Sequence, residues 1–174
     1  MIKGDTKVYT ILGNPVKHSK SPDMHNAAFT QLGINACYIP LEAKINEIES
    51  VCEMIRSGTI FGSNVTIPYK EEVVKYVDVL TQEASTIGSV NTLYSKEGKL
   101  IGDNTDGLGF HKSLFSDLGF DPKNKKCIIL GAGGASKAVA TKLCQGGIES
   151  LVVFDIDEEK GKALIGHLEK FNYK

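Results

Sequence analysis

Between Lys125 and Gln145 the chain reads KKCIILGAGGASKAVATKLCQ, an unbroken apolar run, a turn rich in glycine, and then a helical pattern. A strand apolar on both faces that passes straight through glycine into a helix is the opening of a parallel α/β unit, and few other architectures accommodate it. Gly131 permits the tight turn and Gly133 lets the backbone approach a pyrophosphate, while the helix N-terminus adds N–H groups and a partial positive charge. Gly131, Ala132, Gly133, Gly134, Ala135 and Ser136 are therefore candidate cofactor-binding residues. Ser136 stands where a dinucleotide fingerprint has Gly or Ala, and its hydroxyl can cap the helix or donate to a phosphate. The same spelling also suits other nucleotide-like ligands, or the simple closing of a βα corner. Asp155 ends the next apolar run, 24 positions after Gly131, where a carboxylate can accept from an adenosine ribose diol. It repels a 2′-phosphate, and no Arg follows in DIDEEKGKAL, so NAD is favoured over NADP. Its competing duty is to cap the helix that starts near Asp157.

The rest of the chain alternates in the same way. KVYTILG (7–13) reads as a strand, and Ser21-Pro22-Asp23 offers an N-cap, a proline at the first position and an acid in the first turn of a helix over 22–32, stopped by Gly33. CYIPLE (37–42) is a second strand. Ile45, Ile48, Val51, Cys52 and Ile55 mark an amphipathic helix ended near Gly58, and FGSNVTI (61–67) a third strand. Pro68 is expected to open a helix bearing Val73, Val74 and Val77, and another helical stretch reaches Ile87. Lys96-Glu97-Gly98 separates two short runs as a hairpin turn. GDNTDGLGF then leads into a helix ending at Gly119, Asp121-Pro122-Lys123-Asn124 is a linker, and a helix from 158 to about 171 follows the strand at 151–154. The expected fold is an N-terminal α/β substrate-binding domain over 1–105, a connecting helix and linker over 106–124, and the start of a Rossmann-like dinucleotide-binding domain over 125–174.

The chain has 174 residues with 41% apolar and 24% charged side chains, enough for a real core and unlike a disordered or fibrous sequence. Lys plus Arg (20) against Asp plus Glu (21) gives a net charge of -1 with no basic cluster, which argues against nucleic acid as a partner. No apolar run approaches the ~18 residues of a membrane span, and the N-terminus lacks a secretory h-region. Cys37, Cys52, Cys127 and Cys144 form neither a C-x-x-C pair nor a metal ligand set, and read as reduced thiols. No metal site is indicated, and a cytoplasmic protein is expected.

Three strings in the first half carry more information. They are Gly13-Asn14-Pro15-Val16-Lys17-His18-Ser19-Lys20-Ser21-Pro22 with His25-Asn26, then Asn64-Val65-Thr66-Ile67-Pro68-Tyr69-Lys70, and Gly88-Ser89-Val90-Asn91-Thr92 leading to Asp103-Asn104-Thr105-Asp106-Gly107. Ser19 and Ser21 can donate two hydroxyls to a carboxylate; Ser21 could equally be only an N-cap, whereas Ser19 has no such structural duty. Asn64, Asn91 and Asp106 can bridge vicinal hydroxyls, or serve turns and a helix cap. Lys70, expected early in a helix near its positive end and partly desolvated, would have its proton affinity lowered, with Asp106 pulling the other way. His18 and His25 read as hydrogen-bonding groups of a loop and a helix.

In this order, and followed by GAGGAS, the strings resemble the shikimate dehydrogenase family with its quinate/shikimate relatives, over essentially the whole chain. The resemblance implies reversible NAD(P)H-dependent reduction of 3-dehydroshikimate to shikimate, on the way to aromatic amino acids. It implies that Ser19 and Ser21, helped by Thr66, hold the substrate carboxylate, that Asn64, Asn91 and Asp106 read the ring hydroxyls, and that Lys70 and Asp106 form a catalytic dyad. NADP is the more usual cofactor of the family, which sets the Asp155 argument against the family habit. A small-molecule substrate is the implied partner, with room for a homodimer. Family members are longer, with further strands that hold the nicotinamide and a returning helix whose glutamine touches substrate. This sequence stops earlier, so a non-catalytic shikimate-binding fragment or module, or a quinate/shikimate dehydrogenase, is the alternative.

Overall fold

The computed structural model describes residues 2–171. They form two compact units: one runs to Ser85 and resumes over Ser89–Asp103, and the other takes Thr86–Gly88 and the chain from Asn104 onward. In the second unit the short segment is held by His167, whose Nε2 lies 2.8 Å from the Thr86 carbonyl oxygen.

The first unit is a six-stranded mixed sheet. Its elements are β1 (Lys7–Gly13), α1 (Ser21–Gln31), β2 (Ala36–Glu42), α2 (Ile48–Arg56), β3 (Gly62–Val65), β4 (Val79–Leu80), the first four residues of α3 (Gln82–Ile87), β5 (Thr92–Lys96) and β6 (Lys99–Asp103), with strand order β2-β1-β3-β5-β6-β4. β1 pairs parallel with β2 on one side and β3 on the other, and β5 and β6 are antiparallel additions. The β5–β6 hairpin turns through Glu97 (φ 53°) and Gly98 (φ 74°), two left-handed residues as a tight two-residue turn requires. The crossover from β1 goes to one neighbour and the crossover from β2 returns to the other, so the C-terminal ends of β1 and β3 flank a topological switch point, the place where such sheets bind ligands.

Strand alternation divides the core. Leu12 faces α2 and joins Ile48, Val51, Cys52, Ile55, Val65 and Leu93, all buried, while Ile11 faces α1 and packs with Val16, Tyr38 and Phe29. Each large apolar side chain so buried contributes about 1.5–3 kcal/mol, which is what holds the amphipathic α2 to the sheet. Ile45, expected on the buried face, is 55% exposed, because α2 proper begins only at Ile48, after a short 3-10 turn.

The expected helix after Pro68 is absent. Residues Glu72–Lys75 make only one 3-10 turn. The Lys70 carbonyl that would accept the Val74 amide in a helix instead accepts the Val90 N–H at 2.7 Å, and the Tyr69 hydroxyl is drawn down to the Ala43 carbonyl at 2.6 Å. The third strand is likewise shorter than FGSNVTI: Thr66 N–H makes the last bond to β1, on the Leu12 carbonyl at 2.8 Å, but the Thr66 carbonyl leaves the sheet and closes a turn by accepting Tyr69 N–H at 2.9 Å. The two-residue β4, paired with β6, has no counterpart in the sequence reading.

The second unit contains α4 (Asp106–Ser116), β7 (Lys126–Leu130), α5 (Gly134–Gln145), β8 (Ser150–Phe154) and α6 (Glu158–Glu169), with β7 and β8 a parallel pair. One face of this pair packs Ile129, Leu151 and Val153 against Ala140, Leu164 and Leu168. The other face leaves Ile128 (66%), Leu130 (81%), Val152 (46%) and Phe154 (60%) exposed, as expected of strands apolar on both faces that lack further neighbours. Among the described residues no helix is long and apolar enough to cross a membrane. The four cysteines are unbridged.

Candidate functional site

The first two strings meet at the switch point. Gly13 ends β1 where an added Cβ would collide with Thr66 Cγ2 and stand 2.7 Å from Val16 Cγ1 and 2.9 Å from the Ile67 carbonyl oxygen. Only glycine lets the β1 end lie so close to the β3 end, and Asn14 N–H seals the approach on Ile67 O at 3.0 Å.

The serines exchange the duties expected of them. Ser21 does not cap α1: the N-cap is Lys20, with no side-chain cap, and Ser21 is the first helical residue. Ser19 instead has the structural duty, its Oγ accepting the Ser21 N–H at 3.2 Å. A helix that starts one residue earlier than expected moves the cap position off Ser21 and onto lysine.

Asn64 and Thr66 are placed by β3, and Asn91 by the strand pairing around it. Asn91 N–H donates to Asp103 O at 2.9 Å and its carbonyl accepts Val65 N–H at 2.8 Å, fixing the residue between β3 and β6. The Asn64 side chain spans neighbours to either side of β3: Oδ1 accepts from the Tyr38 hydroxyl at 2.8 Å, and Nδ2 donates to Asn91 O and Thr92 Oγ1, each at 3.4 Å. Thr92 Oγ1 in turn donates to Asn91 Oδ1 at 2.8 Å.

Tyr38 is the residue sequence reasoning missed, although its inward place on an alternating strand could have drawn attention. It is 4% exposed, and its backbone N–H and C=O are both clasped by the Asn26 side chain at 2.8 Å. His25 stacks on the ring with centroids 4.3 Å apart, an aromatic contact rather than the hydrogen-bonding role expected of that histidine. Burial pushes the phenol up to about 12, partly countered by the neighbouring Ser21 hydroxyl, so Tyr38 stays a proton donor over the ordinary pH range. A groove of about 360 Å³ opens on this face, walled by aromatic rings of Tyr9, Phe29, Tyr38, Phe61 and Tyr94; of the expected substrate residues only Asn64 reaches it.

Lys70 lies in the turn after Thr66, not in a helix, so it does not stand at the positive end of a helix opened by Pro68. The backbone bond from Val90 to Lys70 joins the second string to the third. Asp106 belongs to the second unit, where it is the first residue of α4 behind Thr105 at the N-cap, and its N–H donates to Asn104 Oδ1 at 3.0 Å.

In the glycine turn, Gly131 adopts φ +100°, a conformation open to glycine, and its N–H donates to Phe154 O at 2.6 Å. Gly133 is the N-cap of α5, with no atom within 4 Å of the place a Cβ would occupy. That open cradle at the start of a helix fits a dinucleotide pyrophosphate. Asp155 does not cap α6; Asp157 does, accepting Glu159 N–H. The Asp155 carboxylate instead accepts Asp157 N–H at 2.9 Å and Ala132 N–H at 2.7 Å, strapping the glycine turn to the end of β8. These amides hold its pKa below the usual aspartate value.

Comparison with known proteins agrees with this architecture. Residues 11–93 match the shikimate dehydrogenase substrate binding domain. The chain is 47% identical over 171 residues to a shikimate dehydrogenase (NADP(+)) of Pyrococcus furiosus, covering 98% of this chain and 60% of that protein. A shikimate dehydrogenase solved in complex with NADP+ superposes with a TM-score of 0.92 at 40% identity, over 100% of this chain and 60% of its own. The shikimate 5-dehydrogenase of Listeria monocytogenes, solved with shikimate and NAD, gives 0.86 at 34% identity, over 99% and 60%. The chain thus spans about 60% of the length of these relatives, and the family resemblance read from its motifs is borne out.

Proposed function

From its likeness to the shikimate dehydrogenases across both units, we propose that the protein acts in the reversible reduction of 3-dehydroshikimate to shikimate with a nicotinamide cofactor. The observation that carries the reading is that Ser19 bonds the Ser21 N–H, Tyr38 links the Ser21 hydroxyl to Asn64, and Thr66 lies against Gly13 at the end of β1, all inside the matched substrate binding domain.

The chemistry divides among the chain's own side chains. Ser19 and Ser21 donate to the substrate carboxylate, with Thr66 as a third hydroxyl, and Asn64, Asn91 and Asp106 hold the ring hydroxyls. Held by the glycine turn, a reduced nicotinamide would supply the hydride for the substrate carbonyl. Lys70 gives its proton to the oxygen left with the electron pair, and Asp106 orients that ammonium and holds the adjacent hydroxyl. In the reverse direction Lys70 takes the hydroxyl proton.

For the cofactor, the residues of the glycine turn would hold the pyrophosphate and Asp155 the adenosine ribose. Asp155, Asp157, Glu158 and Glu159 put four acids after β8, which supports NAD over NADP although relatives are named for NADP. The unbridged cysteines support a cytoplasmic setting.

The reading is tested by following nicotinamide absorbance with shikimate and either oxidised cofactor, using the 174-residue chain and a version extended to the length of its relatives. Turnover that Lys70→Ala reduces by at least about a hundredfold agrees with the loss of a general acid-base group. Saturable shikimate binding with no turnover in either form limits the protein to a binding role. A kcat/KM at least tenfold better with NADP, worth about 1.4 kcal/mol, overturns the Asp155 argument.

A further inference from the structure

The hydrogen bonds around Asn64 form a chain with one direction. The Asn91 carbonyl oxygen can only accept, so the Asn64 atom facing it is the amide nitrogen, and the opposite end, facing Tyr38, is the amide oxygen. Thr92 Oγ1 accepts from Asn64 Nδ2, which leaves its own proton for Asn91 Oδ1. The proton order therefore runs from the Tyr38 hydroxyl to Asn64, from Asn64 to Thr92, and from Thr92 to Asn91.

We propose that Tyr38 is a positioning residue of the substrate site, whose hydroxyl proton secures from the far end the Asn64 orientation that the Asn91 carbonyl selects, and through Thr92 the orientation of the Asn91 amide. This rests on the reading that Asn64 and Asn91 contact shikimate. The chain fixes which end of each amide is the donor and which the acceptor, and so the sense in which each asparagine meets a ligand hydroxyl. The anchor for this order is stiff: the Tyr38 backbone is clasped by Asn26 and its ring is stacked on His25, so the hydroxyl has little freedom to turn away. The two 3.4 Å bonds from Asn64 Nδ2 are long, so its donors can be shared with a ligand without undoing the chain.

Tyr38→Phe removes the initiating proton and leaves the ring, the stack and the backbone clasp in place. The side-chain amide resonances of Asn64 and Asn91 are compared between the wild-type chain and Tyr38→Phe without ligand, and shikimate is then titrated into both. The proposal expects both asparagine amides to move, including Asn91, which does not touch the phenol in the chain described, and shikimate affinity to fall about tenfold for an amide left without its partner. Unmoved Asn91 resonances, or equal affinity of the two proteins, overturn it. If the wild-type chain binds no shikimate while Asn91 still responds to the loss of the hydroxyl, the reading of the site as a shikimate site fails and the control of the amides by Tyr38 stands.

Discussion

Val90 N–H donates to the Lys70 carbonyl oxygen at 2.7 Å. The bond ties the turn that carries the expected acid-base lysine to the segment that delivers Asn91 into the sheet, and in doing so it takes the carbonyl that a helix would need. Lys70 is therefore held by a loop braced at both ends: by Tyr69 on the Ala43 carbonyl, and by Val90.

Gly13→Ala tests the close approach of the two strand ends. The new methyl meets Thr66, Val16 and the Ile67 carbonyl, of which the last is backbone and cannot step aside cheaply. Overpacking of this kind costs about 1–3 kcal/mol. At ~4–8 °C per kcal/mol for a unit of this size, the melting temperature followed by circular dichroism is expected to fall by at least several degrees. An unchanged melting temperature contradicts the packing described.

The acid side of the pH range should expose the Asp155 strap. Its carboxyl is held below the ordinary aspartate value by the Asp157 and Ala132 amides, so its contribution is present above the unfolded pKa and disappears as pH falls through the lower folded value. The Ala132 amide proton resonance is expected to titrate with a midpoint below that of a free aspartate, and Asp155→Asn to abolish that titration. A midpoint at or above the ordinary value contradicts the strap.

The outer face of β7 and β8 presents Ile128, Leu130, Val152 and Phe154 in one patch, with Ile156 fully exposed beside it. A contiguous apolar surface of this kind attracts other apolar surfaces. The 174-residue chain is expected to bind a hydrophobic reporter dye while folded, and Ile128→Lys with Val152→Glu to remove most of that signal with little change in melting temperature. Dye binding that survives the double substitution places the apolar surface elsewhere.

Much of this was legible in the sequence. The periodicities at 7–13, 48–56 and 134–145 announce their elements because burial enforces them, and the glycine turn announces the second α/β unit. What escaped depends on contacts remote in sequence. Pro68 looks like a helix start, but the decision lies with Val90, twenty positions after Lys70, which claims its carbonyl. Ser21 looks like a cap, but α1 begins a residue sooner and Ser19 bonds the turn. Tyr38 carries no motif at all; its hydroxyl matters because β1, between β2 and β3, sets the spacing across which it reaches Asn64.

The claim at the centre is that the ends of β1 and β3 make a site for a small polyhydroxylated carboxylate. Titration of shikimate into the isotopically labelled chain, followed residue by residue in solution, tests it most directly. Saturable shifts centred on Ser19, Ser21, Asn64, Thr66, Lys70, Asn91 and Asp106, and weakened about tenfold or more when Ser19 and Ser21 are both alanine, are the predicted result. Shifts centred on other residues, or a titration that the double alanine variant leaves unchanged, would contradict it.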